Sequence, residues 1–182
     1  MDDFAAQVGA GKVLWHFAMS LDGFVAGPGH DMGWMAGMSL RDGLLDEYVR
    51  TTGAVLGGRD GWDAVVGGAR PYGGAWKGPI FVLTHHPEDA EPADDVTFLD
   101  CDVADAVRVA LDAAGGKNVE VFSPNIGRQL LERGLIDEID LHVAPVLLGD
   151  GIRLFDNPGG VPVRLERSGG EAVVNVRYRP AR

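Results

Sequence analysis

Apolar residues run in short dense blocks along this chain, broken by glycine-rich and acidic stretches, and the spacing within each block predicts its element. Residues Lys12 to Met19, KVLWHFAM, alternate little, which predicts a strand buried on both faces. SLDGFVAGPGHDMGW then carries Asp-Gly and Gly-Pro-Gly and reads as a long loop with a tight turn. In SLRDGLLDEYVRTTG, Leu40, Leu44, Leu45 and Tyr48 fall at helical spacing, with Ser39 as N-cap and Gly53 as stop. AVLGG predicts a short buried strand, and RDGWDAVVGG a short helix or turn opening at Arg59. IFVLTHH and VTFLD predict two more strands around the acidic loop PEDAEPADD. VADAVRVALDAAGG places Val103, Val107, Ala110 and Leu111 on one helical face. NVEVF and PNIGRQLLERG follow as strand and helix, the helix closed by Gly134. The remainder, IDEIDLHVAPVLL, VPVRLERSGG and EAVVNVRYRP, predicts strands that end in a hairpin.

Strands alternating with helices imply an α/β fold: a mostly parallel central sheet flanked by helices, with the C-terminal hairpin adding antiparallel strands. The 182 residues fill one core, so a single domain over 12–182 is expected behind an N-terminal extension, 1–11. Ligands of such sheets sit beyond the C-terminal strand ends, so the loops after Met19, Gly57, Thr84 and Phe122 should share one rim. A net charge of -11 argues against nucleic acid, whose phosphates call for clustered Lys and Arg. No apolar run is long enough for a bilayer, and the start carries two acids instead of a basic leader, so a cytoplasmic protein with no membrane partner is expected. Cys101 is alone, which excludes an internal disulfide, and it reads as a spectator thiol.

SLDGFVAGP, VLGGR, VLTHHP and GLIDEIDLHVAPVLLGDGIRLFD, taken together, resemble the reductase domain of bacterial riboflavin biosynthesis and its dihydrofolate reductase-like relatives, over about Lys12 to Tyr178. The resemblance implies a dihydrofolate reductase-like fold, NADPH as cofactor, a small heterocyclic (pterin- or pyrimidine-like) or carbonyl/imine substrate, and a homodimer. It implies that Gly58 and Arg59 meet the cofactor's phosphates, that Thr84 and His85 flank the adenosine 2′-phosphate, and that Ser123 to Gly127 approach the pyrophosphate. Ala18 and the Asp22-Gly23-Phe24 loop would border nicotinamide and substrate.

The residues can also be read for themselves. Arg59 offers a fork of donors suited to phosphate, or is a solvated arginine at a helix start. Thr84, His85 and His86 can donate to an anion, or simply open a polar loop. No metal is expected at the His pair, for want of a further ligand at zinc spacing. Family members place a Gly-Gly pair at the turn that here reads Phe122-Ser123, with Pro124 next. Ser-Pro starts a helix well, but Pro124 removes one N–H and the Phe side chain can block close approach. Asn125, Ile126 and Gly127 are expected to supply the remaining N–H groups. Asp22 and Asp42 are the candidate proton carriers: Asp42 aligns with the pterin-binding acid of dihydrofolate reductases, or complements a helix dipole, and Asp22 can equally shape its turn. Phe24 and Trp34 are candidate substrate contacts, and Trp34, with Met35 and Met38, can wall a flat ring or close the core. The reading is an NADPH-dependent reductase. The rivals are a non-catalytic ligand-binding dimer with a weakened dinucleotide site, and a flavin- or pterin-binding protein.

Overall fold

The computed structural model describes residues 11–64, 70–167 and 176–180. Its strands and helices follow in the order β1 (Val13–Ser20), β2 (Phe24–Ala26), α1 (Leu44–Thr51), β3 (Thr52–Gly58), α2 (Arg59–Ala64), β4 (Ile80–Leu83), β5 (Val96–Leu99), α3 (Val103–Ala113), β6 (Asn118–Phe122), α4 (Pro124–Glu132), β7 (Glu138–Ala144) and β8 (Ile152–Arg153). Six strands make one sheet in the order β5-β4-β3-β6-β1-β7, and every pairing in it is parallel. The expected fold class is therefore present. The shared rim is present too, because parallel neighbours bring the ends of β1, β3, β4 and β6 to one edge.

The two faces of the sheet are packed differently. On one, α3 and α4 cover Trp15, Leu56, Val119 and Val121. Helix α3 buries Val103, Ala106, Val107, Ala110 and Leu111, and its N-cap Asp102 accepts from the Ala104 N–H at 2.9 Å. Gly53 lies on β3 where an added Cβ would strike Ala114 at the end of α3, so strand and helix meet closely there. The other face carries an apolar patch of Val55, Trp76, Ile80 and Val82 over β3 and β4. Over β6, β1 and β7 that second face turns polar.

Three expectations about elements are corrected. Helix α1 begins at Leu44, four residues later than Ser39 capping would give, because Gly43 takes the N-cap position with φ 76. Leu40 and Leu45 are exposed, while Leu44 and Tyr48 are buried, and the helix ends before Gly53, which belongs to β3. The antiparallel pair that the structure shows is β2 with β8, Phe24 opposite Arg153 and Ala26 opposite Ile152. Residues 161–167 and 176–180 are not strands, and the rest of the expected terminal hairpin lies outside the described residues. Within those residues no helix is long and apolar enough to cross a membrane.

Candidate functional site

In parallel register, paired residues point to the same face, so the ladder fixes which side chains meet. Gly57 pairs with Phe122, Trp15 with Val121, and His16 with Asp140, while Ala18 pairs with His142 one step towards the rim. Glu120 lies one step the other way, opposite Val55. The face that is apolar over β3 and β4 thus presents His16, Glu120, Asp140 and His142 side by side. Tyr48 from α1 and Tyr72 from the short helical segment Pro71–Gly74 lie over them, their rings stacked at 5.7 Å and 4°.

A continuous hydrogen-bond chain joins these groups. Glu120, fully buried, accepts from the Thr52 hydroxyl at 2.6 Å and from the Tyr72 hydroxyl, and it faces His16 Nδ1 at 3.2 Å. His16 Nε2 faces His142 Nε2 at 2.8 Å. Tyr48 Oη lies 3.2 Å from His142 Nε2 and donates to Asp140 at 2.5 Å. Burial first, then the neighbouring carboxylates, push both tyrosine hydroxyls far above the ordinary phenol range, so both remain donors. Burial and the adjacent His16 hold His142 below its ordinary range, which favours a neutral ring. The Phe122 ring packs towards this cluster, 5.7 Å from His16 and 6.3 Å from Tyr72. It therefore packs against the polar cluster rather than over the turn at α4, where obstruction was expected.

At the rim, Gly57 opens onto free space: a Cβ there would meet nothing within 4 Å. Gly58 is tighter: a Cβ there would lie 3.2 Å from Ser123 Oγ. Ser123 caps α4, its hydroxyl accepting from the Ile126 N–H at 3.3 Å, and Gly127 N–H bonds to Ser123 O. Of the three N–H groups expected to be free, only that of Asn125 is left unused by the helix. Gly127 is a packing residue, since a Cβ there would enter the Trp15 indole. Arg59 directs Nε to Asp63 at 2.7 Å and its other nitrogens to the His86 and Asp89 carbonyls at 3.2 Å. Its guanidinium orders the 86–89 loop. Thr84 is buried and accepts from the His86 N–H at 3.1 Å, whereas the His85 ring is open to solvent and 3.6 Å from Asp100.

The two acids proposed as proton carriers belong elsewhere. Asp22 Oδ1 accepts from Ser20 Oγ at 2.7 Å and Leu148 N–H at 3.0 Å, and Oδ2 from Gly149 N–H at 2.7 Å. The Ser20 hydroxyl and these backbone donors hold its carboxyl down at about 2, so it stays ionised and clamps the loop after β1 to the turn after β7. Asp42 is exposed in the turn before α1 and takes no part in the cluster. Phe24 is buried, with the Arg153 guanidinium 4.4 Å from its ring centroid. Trp34, on Gly33–Met35, keeps a buried indole N–H with no partner among the described residues. Ala18 alone of the loop-side candidates shares the cluster's face.

His16, Tyr48, Tyr72, Glu120, Asp140 and His142 were missed by sequence reasoning. Their signal was present: one His in LWHFAM, one acid in NVEVF, and Asp140 and His142 at i, i+2 in EIDLHVA, polar residues inside otherwise apolar strands.

Comparison with known structures agrees with this architecture. A protein assigned to riboflavin biosynthesis from Shewanella sp. PV-4 is 22% identical over 82% of this chain and 86% of its own, with a TM-score of 0.65. The diaminohydroxyphosphoribosylaminopyrimidine deaminase/5-amino-6-(5-phosphoribosylamino)uracil reductase of Thermotoga maritima is 17% identical, with a TM-score of 0.58, over 84% of this chain and 51% of its own, so this chain spans about half its length. Dihydrofolate reductase of Enterococcus faecalis, complexed with NADP(H) and RAB-propyl, is 14% identical over 82% of this chain and 80% of its own, with a TM-score of 0.56. No curated protein matches. The model of the RibD C-terminal domain matches residues 74–175, more than half the chain and spanning β4 to β8, and the chain therefore belongs to the RibD C-terminal domain family.

Proposed function

We propose that this chain is an NADPH-dependent reductase of a small flat heterocycle, pterin- or pyrimidine-like, or of a carbonyl or imine. The observation that carries the reading is the free space over Gly57, on the rim of the parallel sheet and in the same row as Phe122 and the polar cluster. A planar ring can enter there without displacing a side chain: the neighbours across the sheet are Val82 and Phe122, and the polar cluster begins beyond Phe122, at His16. The residues present fit a dinucleotide: Gly57 and Gly58 give close approach, the Asn125 N–H remains for a phosphate oxygen, and Thr84 and exposed His85 stand at the end of β4 for the 2′-phosphate. Arg59 supports the latter by fixing the 86–89 loop.

When bound, the reduced nicotinamide supplies a hydride. The chain does the rest. Ala18 leaves room beside His142, the stacked Tyr48 and Tyr72 wall the pocket, and the Trp34 indole offers a further donor. His142, Tyr48 and Asp140 meet the substrate's polar edge, and the chain running through His16 to Glu120 holds a proton for it.

A second reading, a ligand-binding homodimer without catalysis, is favoured by the donors at Ile126, Gly127 and Arg59 that the protein has already used. Titration of NADPH and NADH, followed by nicotinamide fluorescence, separates the two. The reductase reading expects saturable binding with NADPH the tighter. Equal affinity removes the 2′-phosphate assignment, and no binding of either leaves the second reading.

A further inference from the structure

We propose that His16, Asp140 and His142 form a binding site for one divalent metal ion of the zinc class. One donor atom from each of the three residues lies within 4.8 Å of the others. The Nε2 nitrogens of His16 and His142 face each other at 2.8 Å. Ligands sharing a tetrahedral ion at about 2.0–2.1 Å stand roughly 3.3 Å apart, so the rings need part by only about half an ångström.

Two further features favour an ion. The first is orientation. The remaining nitrogen of His16, Nδ1, faces the fully buried Glu120 at 3.2 Å, which turns Nε2 inward, as an outer carboxylate orients metal-bound histidines. Tyr48 similarly fixes Asp140 at 2.5 Å.

The second is charge. Glu120 and Asp140 bring two carboxylates into one pocket, and their partners there are hydroxyls and imidazoles, Thr52, Tyr72 and His16 for Glu120 and Tyr48 for Asp140. Among the described residues neither has a Lys or Arg within ion-pair distance. A divalent ion neutralises both. Two His and one carboxylate also leave a coordination position open, as zinc sites that act on substrates do, and the half-buried His142 and Asp140 are the side from which it is reached. The cluster was invisible as a metal motif because its ligands come from β1 and β7.

The inference stands apart from the reductase reading, since an ion there would take the place of the proton held between His16 and His142, and its test uses metal alone. The whole protein, stripped with a chelator, is titrated with Zn²⁺ by calorimetry and with Co²⁺ by visible absorption. One equivalent is expected to bind at micromolar or lower concentration. His142→Ala and Asp140→Ala should weaken binding at least tenfold, and Glu120→Gln, which removes no ligand, by about 10–100-fold. His86→Ala should change nothing, although exposed His86, Glu88 and Asp89 also lie within 4.8 Å of one another. Circular dichroism checks each variant. Should a variant not fold, the wild-type cobalt form decides by NMR: two shifted ring N–H signals, one per histidine, are expected. No binding up to millimolar metal, binding abolished by His86→Ala, or a cobalt form without those signals overturns the proposal and leaves a proton-sharing pair.

Discussion

Asp22 and Gly127 show how one residue type can serve packing where chemistry was expected of it. Gly127 is glycine because the Trp15 indole occupies the place of its side chain, and the N–H it was expected to offer an anion is bonded to the Ser123 carbonyl. Asp22 accepts three hydrogen bonds and holds SLDG against the turn at Leu148 and Gly149. Its folded carboxyl titrates at about 2, below the ordinary 3.8, so its contribution to stability is full above about pH 4 and is lost as pH falls through 2. Asp22→Asn places an amide against an N–H donor and should lower the melting temperature at neutral pH. The gap between wild type and variant should then narrow in melts taken from about pH 5 down to pH 2. A gap that stays constant would mean that the carboxylate's charge contributes nothing.

At the scale of elements, the turn from β6 to α4 reads Phe122-Ser123 where the sequence resemblance implies a Gly-Gly pair. Ser123 and Pro124 give α4 a capped, preorganised start, and they use the Ile126 N–H in doing so. Ser123→Ala should cost about 0.5–2 kcal/mol of stability, as lost N-caps do, while freeing that N–H for an anion. Melts should therefore fall while the NADPH dissociation constant from calorimetric titration does not rise. A loss of affinity in step with stability would show that the Ser123 hydroxyl itself meets the cofactor. The α3 and α4 helices, and strands β1, β3 and β6, were legible in the sequence because each helix has its own period, each strand is a dense apolar block, and each has its own stop. The start of α1 was not, since Leu40 and Leu45 keep helical spacing without being buried, and only the αL backbone at Gly43 fixes the boundary. The rim was legible for the same reason as the sheet. The polar cluster was not: its six side chains come from β1, α1, the 71–74 segment, β6 and β7, and only parallel register, which no local pattern encodes, brings them together.

At the scale of the whole molecule, the unanswered demand is for cover over apolar surface. Strand β7 is the last of the six-stranded sheet; on it Val143 is 45% exposed, and beyond it Leu147 is 72% exposed. Val161, Val163 and Leu165 alternate along the C-terminal stretch and are exposed too, an apolar face with strand periodicity and nothing packed on it among the described residues. A net charge of -11 keeps copies apart at long range, but salt screens that repulsion and leaves the apolar gain. A two-fold symmetric dimer that sets β7 and its following turn against the same region of a second copy would bury Val143 and Leu147 together, the self-complementary arrangement common in homodimers. Light scattering at micromolar concentration should then report twice the 19.3 kDa chain mass. Leu147→Asp, placing a charge on the most exposed member of the patch, should shift the protein to monomer without changing its far-ultraviolet circular dichroism. A wild-type monomer under these conditions removes the dimer altogether. A dimer indifferent to Leu147→Asp would place the interface elsewhere, with Val161, Val163 and Leu165 the next surface to test.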